Sequence, residues 1–383
     1  MVAAVGCAGL RPLPAPAVAP CAGDTAAALW SCLDRTDRDV GTDVRAAQPR
    51  ETAYRSTARV VEGDLRRKLR DQRRASACDG TPPPGFIAVD EQPTEEGRAP
   101  LRAYFHEPAA GRPTVIVVHG LYDSKQSRYV RVAAAYLASR GYGVLAPDMR
   151  FHGCLLASHL PSLGPEETAD LLAWGRWLRA RAPRSDVGLL GFSLGTVYVI
   201  QALAADADAD GAVFRAGGVA VSPAADLPGT IQRLDDPPSL ADRGLQSLLV
   251  RFFQHALRTR MRELGIPTRA AGERSFARFL DWLSHQTTVS PPGTTVESLI
   301  ARADVLPALA HVRRPLLLIT SRRDPIYAEG GLVALRRAAN NPMVHLVETT
   351  DGGHIGVLGT YPRWTAAVLE RFFAESAAAT VGP

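Results

Sequence analysis

From Phe86 onward the chain alternates between short apolar runs and longer stretches in which apolar residues recur every three or four positions. "TVIVVHG" (Thr114 to Gly120) is a continuous β-branched run, which predicts a strand buried on both faces of a sheet. "YGVLAPD", "VGLLG", "GGVAVSP", "PLLLIT" (Pro315 to Thr320) and "MVHLVE" (Met343 to Glu348) read the same way. Between them, helical spacing runs over Ser127–Ser139, Pro165–Arg181, Leu194–Ala205 and the stretch near Gly331–Ala339, and Trp364–Phe373 closes the chain as a helix. Strands alternating with helices imply an α/β fold, with a mostly parallel central sheet flanked by helices on both faces. "FIAVD" and "LRAYFHE" predict an antiparallel pair at one edge of it.

Two intervals break this rhythm. Residues from about 225 to 303 are rich in Leu, Phe and Arg, contain "DDPP" and "SPPG", and are too long for a loop, so an inserted helical cap is expected there. Its apolar residues (Leu245, Leu248, Leu249, Phe252, Phe253, Leu257, Phe276, Phe279, Leu280 and Trp282) suit an acyl or lipid-like group and suit packing within the cap equally well. Ahead of the main domain (81–383), residues 24–80 are polar and short of β-branched runs. "TAAALWSCLDRT" and "GDLRRKLRDQRR" fit short helices of a small N-terminal helical extension, and "TPPPG" (Thr81 to Gly85) punctuates its boundary. Residues 1–23 read as a Pro/Ala-rich tail or linker.

Composition narrows the function classes. At 383 residues, 46% hydrophobic and 22% charged, the chain has enough core for a full α/β enzyme. The net charge is +5, but Lys68 and Lys125 are the only lysines. An arginine excess beside much Ala, Gly and Pro is a compositional bias, so no nucleic-acid partner is expected. The densest basic run, Arg66 to Arg74, reads as a solvated helix face. No apolar run is long enough to predict a transmembrane helix. "MVAAVGCAGLRPLPAPAVAPCAG" approaches Cys7 through small residues and continues as a spacer, resembling the cleavage region and tether of a bacterial lipoprotein. It lacks the charged and long apolar regions of a working signal. A cell-envelope protein tethered to the membrane through Cys7 and a cytoplasmic protein with a disordered tail both stay open. The five cysteines include no CxxC pair, which argues against zinc. In an exported protein Cys21, Cys32, Cys78 and Cys154 could pair; in the cytosol reduced thiols are expected.

The chemistry is carried by "LLGFSLGT", which sets Ser193 between Gly191 and Gly195, after a strand and before a helix. A serine on such a tight turn is exposed at the strand's C-terminal end, and small neighbours relieve the crowding. A nucleophilic serine also needs a base, an acid to orient the base, and donors for the oxyanion. His354 alone among nine histidines follows the last strand in a glycine-rich loop, "TTDGGHIG". Asp324 in "TSRRDPI" directly follows "PLLLIT" and is the expected acid. Asp351 and Asp304 are the alternatives, the first read as a turn residue and the second as a helix cap. Ser193, Asp324 and His354 stand in the chain order this architecture uses. The oxyanion donors would be the backbone N–H groups of Leu194 and of Leu121, with Tyr122 as a further candidate. His119 reads as support for the loop after "TVIVV".

"VVHGLYDSKQSRYV", "GYGVLAPDMRFHG", "GFSLGT", "SRRDPI" and "DGGHIG" together resemble the serine α/β-hydrolase superfamily, and in "HGL…S…SRYVR" and "GGHIG" its YheT-type esterase branch. The resemblance spans about Phe86 to Phe373. It implies the α/β-hydrolase fold, a triad of Ser193, Asp324 and His354, an oxyanion hole at Leu121 and Leu194, and neither metal nor organic cofactor. Two positions depart from the pattern. Thr196 stands where a third glycine often follows G-x-S-x-G, and Phe151 stands where the related R-G-H-G loop has glycine, beside Arg150 and His152, which read as loop scaffolding. The expected activity is hydrolysis of carboxylic esters, with a small-molecule ester or lipid as partner. An acyltransferase using the same triad, or a non-catalytic binding protein on this fold, are the competing readings. A serine in the elbow argues against haloalkane dehalogenase chemistry, for which this fold uses a carboxylate. Oligomeric state is not legible.

Overall fold

A computed structural model describes residues 12–15, 19, 21, 23–46, 57, 81–91, 101–121, 123–150, 152–153, 163–209, 213–240, 243–244, 246–249, 275–285 and 293–378. The expected helix over "GDLRRKLRDQRR", the Cys7 region, Cys78, Cys154, Phe151, Tyr122, Leu245, Phe252, Phe253 and Leu257 lie outside the described residues, as do the side chains of Phe279 and Trp282.

Helices α1 (Ala26–Asp34) and α2 (Thr36–Asp39) come first, followed by strands β1 (Ile87–Glu91), β2 (Leu101–His106) and β3 (Thr114–Val118). Then α3 (Arg128–Ser139), β4 (Gly143–Pro147), α4 (Pro165–Arg181), β5 (Val187–Phe192), α5 (Leu194–Asp208) and β6 (Gly218–Val221) alternate. The interval at 225–303 contributes α6 (Leu227–Asp235), α7 (Phe276–Ser284) and α8 (Val296–Arg302). The chain returns through α9 (Leu306–His311), β7 (Leu316–Ser321), α10 (Glu329–Ala338), β8 (Val344–Thr349), α11 (Val357–Thr360) and α12 (Pro362–Glu375).

The eight strands form one sheet in the order β1-β2-β4-β3-β5-β6-β7-β8. β1 and β2 are antiparallel at one edge, β2 meets β4 antiparallel, and every other pair is parallel. Every residue of β3, β4, β5, β6 and β7 is buried, as continuous apolar runs between two helical layers require. At the outer edges the pattern loosens: β8 is only partly buried, and Ile87 of β1 is exposed. The order reverses between β3 and β5. The chain leaves β3 through α3 toward β4 on one side and leaves β5 through α5 toward β6 on the other, which opens a crevice at their C-terminal ends.

One apolar core runs from the sheet into α12 and on to α1, where Leu29, Trp30 and Leu33 are buried. Trp30 stacks on His345 of β8 at 5.1 Å between centroids and donates its indole N–H to the Pro342 carbonyl at 2.9 Å. Arg371 of α12 donates to the Ala19 carbonyl, the Thr36 hydroxyl and the Asp39 carboxylate. Cys21 and Cys32 are joined in a disulfide, the pairing that sequence alone left open. In the interval at 225–303, the Asp235 carboxylate at the end of α6 accepts the first N–H groups of α7, and Leu234, Leu249, Phe276 and Ile326 pack together. Among the described residues, no helix is long and apolar enough to cross a membrane.

Candidate active site

The crevice is occupied by Ser193. β5 ends at Phe192 and α5 starts at Leu194, so a single residue turns the chain, at φ 52° and ψ −122°. A non-glycine residue held there costs on the order of 1 kcal/mol and persists only where its surroundings fix it. Here the Ser193 N–H donates to the Val221 carbonyl at 3.0 Å, and the Ser193 carbonyl accepts the Thr196 N–H at 2.9 Å. The flanking glycines are required by space. A Cβ on Gly195 would lie 2.5 Å from the His119 carbonyl oxygen, and one on Gly191 would lie 2.7 Å from the Gly195 carbonyl oxygen. Thr196, the departure from the third glycine, is buried and donates its hydroxyl to the Ser193 carbonyl at 2.6 Å, adding a second clamp.

Two later strand ends deliver the other side chains. Asp324 follows β7 and is fixed by its own turn: its N–H donates to the Ser321 carbonyl, and its Oδ1 accepts the Ile326 N–H at 2.9 Å. Its Oδ2 lies 2.8 Å from His354 Nδ1, and His354 Nε2 lies 2.8 Å from Ser193 Oγ. A carboxylate only accepts, so Nδ1 carries the proton and Nε2 offers its lone pair to the serine hydroxyl. Asp324 and His354 are buried and Ser193 is partly exposed, so the line opens to solvent at its oxygen end. Gly352 and Gly353 take left-handed φ values of 110° and 53°, which lets the loop after β8 fold back over β7. Asp351 turns inside this loop, its Oδ1 accepting the Gly352 N–H. Asp304 accepts the Leu306 N–H at the start of α9.

Leu194 is the first residue of α5, and Leu121 follows Gly120 beyond β3. That loop lies against the elbow, since a Cβ on Gly120 would be 3.2 Å from the Ser193 Cβ. The Tyr129 hydroxyl accepts the Gly120 N–H at 2.8 Å and donates to Asp123 at 2.8 Å, bracing the loop from α3. Lys125 and Asp148 form a buried ion pair that ties it to the segment after β4. His119 accepts the Met149 N–H at Nε2 and therefore donates from Nδ1 to the Gly120 carbonyl. Arg150 pairs with the buried Asp170, and His152 Nδ1 lies 2.6 Å from the Arg150 carbonyl oxygen.

Several residues around the line were not singled out from the sequence. Tyr327, three positions after Asp324, sets its ring edge-on to the His354 imidazole at 4.9 Å and donates its hydroxyl to the Ser222 carbonyl at 3.0 Å. Burial, then the Asp324 charge, push the Tyr327 phenol well above its ordinary range, so it stays a donor. Ser222, at φ 55°, accepts the Ile355 N–H on its hydroxyl. Thr57 accepts the His354 N–H on its hydroxyl at 2.8 Å. Ser222 follows β6 as Ser193 follows β5, a positional signal that could have been read; Thr57 carries none. Among the described residues, no three His, Cys, Asp or Glu side chains could together hold a metal ion.

A doubly wound sheet with a strained serine turn at its switch point defines the class, an α/β fold of the hydrolase type. Residues 115–368 match the profile of the Alpha/beta hydrolase family, and the chain belongs to that family. The chain is 23% identical over 279 residues to the monoacylglycerol lipase of Saccharomyces cerevisiae, a match covering 68% of this chain and 59% of that protein's length. It resembles in fold an esterase of Pyrococcus furiosus, with a TM-score of 0.53 at 22% identity, covering 76% of this chain and 93% of that one. A second crystal form of that esterase gives a TM-score of 0.52 at 23% identity, covering 76% and 92% of the two chains.

Proposed function

We propose that the protein is a serine hydrolase that cleaves carboxylic esters, with Ser193 as nucleophile, His354 as base and Asp324 as its orienting acid. The observation that carries this reading is the unbroken line Asp324–His354–Ser193, with 2.8 Å at each step. His354 Nε2 takes the Ser193 proton as Oγ attacks the ester carbonyl, and Asp324 stabilises the resulting imidazolium. The backbone N–H groups of Leu121 and Leu194 hold the oxyanion. His354 then protonates the leaving alcohol, and water, deprotonated by the same imidazole, releases the acid from Ser193. Family membership supports an ester hydrolase, and the likeness to a monoacylglycerol lipase supports an acyl or lipid-like substrate. The loop motifs that resemble the YheT-type branch point the same way.

A series of p-nitrophenyl esters from acetate to palmitate tests this. The wild type hydrolyses at least part of the series with a preferred acyl length, and Ser193→Ala hydrolyses none of it above buffer. Absence of hydrolysis across the series, or equal rates in Ser193→Ala, overturns the proposal.

A further inference from the structure

Residues 350–355 carry His354 between β8 and α11, and the loop's two left-handed glycines give it little stiffness of its own. Apart from the Gly352 N–H, which Asp351 accepts within the loop, its backbone is held by outside partners. The Thr350 N–H donates to the Val44 carbonyl at 2.7 Å, and the Thr350 hydroxyl donates to the Arg45 carbonyl at 2.5 Å. The His354 N–H donates to the Thr57 hydroxyl at 2.8 Å, and the Ile355 N–H to the Ser222 hydroxyl at 3.1 Å. Three of these four acceptors precede Thr81, outside residues 115–368 that match the family. The core that defines the family therefore lacks the group to which the His354 backbone is bonded.

We propose that Thr57 is a positioning residue for His354, and that Val44, Arg45 and Thr57 make the N-terminal extension a working part of the catalytic unit. This rests on the hydrolase reading above. Thr57 is fully buried, so water cannot substitute for its hydroxyl, and a buried N–H without an acceptor drives the loop to shift. Two hydrogen bonds of 2.8 Å leave the imidazole little latitude on either side. Residues 19–39, ahead of Val44 and Arg45, are themselves anchored. The Cys21–Cys32 disulfide closes this segment on itself, while Trp30 stacked on His345 and Phe372, and the contacts of Arg371 with Ala19, Thr36 and Asp39, fasten it to β8 and α12. The sequence separation of 297 residues between Thr57 and His354 shows why no local motif marks the contact.

The test compares Thr57→Val, which keeps the shape and removes the acceptor, with Thr57→Ser, which keeps the acceptor, both in the full chain. Two readouts are taken: kcat and KM on the p-nitrophenyl ester that the wild type cleaves fastest, and the far-downfield proton resonance of the His354–Asp324 hydrogen bond. Thr57→Val lowers kcat about ten- to hundredfold with KM changed less than about twofold, because the misplacement affects the chemical step and not substrate contacts. Its downfield resonance shifts or broadens, and Thr57→Ser restores both readouts. Thr350→Val, which removes the tether to Arg45, gives the same kcat signature from the other end of the loop and serves if Thr57→Val unfolds. Wild-type kcat and resonance in both valine variants overturn the proposal, as does a Thr57→Ser variant as impaired as Thr57→Val. If the wild type cleaves no ester, the hydrolase reading falls, and the resonance alone still decides whether Thr57 positions His354.

Discussion

Ser193 sits in a backbone conformation that its side chain disfavours, and its neighbours leave no room for relaxation. The Gly195 Cβ position is bounded by the backbone oxygens of His119 and Val118, at 2.5 Å and 2.8 Å, and backbone cannot rotate away as a side chain can. Gly195→Ala therefore forces β3 and α5 apart and costs about 2 kcal/mol or more, read as a lower urea midpoint at unchanged slope. Asp324→Asn keeps the size of the group but presents His354 with the wrong tautomer. A loss of about ten-thousandfold in kcat is expected with the circular dichroism spectrum unchanged. Tyr327→Phe keeps the ring against His354 and removes the bond to the Ser222 carbonyl. Its expected effect is a loss of kcat of about threefold to tenfold with little change in KM, the scale of one neutral hydrogen bond. Unchanged kcat would mean that the phenol hydroxyl has no part in fixing the imidazole.

At the scale of elements, the strands that carry the site are also the ones most legible in the sequence. β3, β5 and β7 are unbroken apolar runs because both faces are buried, and the candidate residues stand one to three positions beyond their ends or in the loop after β8. Helix boundaries were less legible. α5 continues to Asp208, beyond the expected Ala205, and α12 starts at Pro362 and ends at Glu375. Propensity changes little over such end turns, and packing decides them. Tyr327 and Thr57 are not legible because their roles are contacts with ring and backbone atoms, which no spacing encodes, whereas Ser222 is marked only by its place directly after β6. The edge strand β8 is tied to its neighbours by Glu348. Hydrogen bonds from Arg336, and further bonds and charge from Arg336 and Arg322, hold its carboxyl below the usual range against a partial burial penalty. A carboxyl depressed on folding stabilises above its unfolded pKa and loses that contribution as pH falls through its folded value. Glu348→Gln should lower stability at pH 7 by about 1 kcal/mol or less, since both arginines are half exposed, and the difference should vanish in acid. Urea titrations at neutral and acid pH check both statements.

At the scale of the molecule, the sheet's reversal between β3 and β5 sets the elbow beside the loop carrying Leu121, and two further strand ends bring Asp324 and His354 to the same crevice. Val44, Arg45 and Thr57 accept hydrogen bonds from the histidine loop on its outer side. Whether Ser193 is an activated nucleophile is decided by covalent labelling with a fluorophosphonate probe followed by peptide mapping. One adduct is predicted, on Ser193. It should be absent in Ser193→Ala and form far more slowly in His354→Ala. A wild type that takes no label, or a Ser193→Ala variant that labels equally, would show that Ser193 is not the nucleophile.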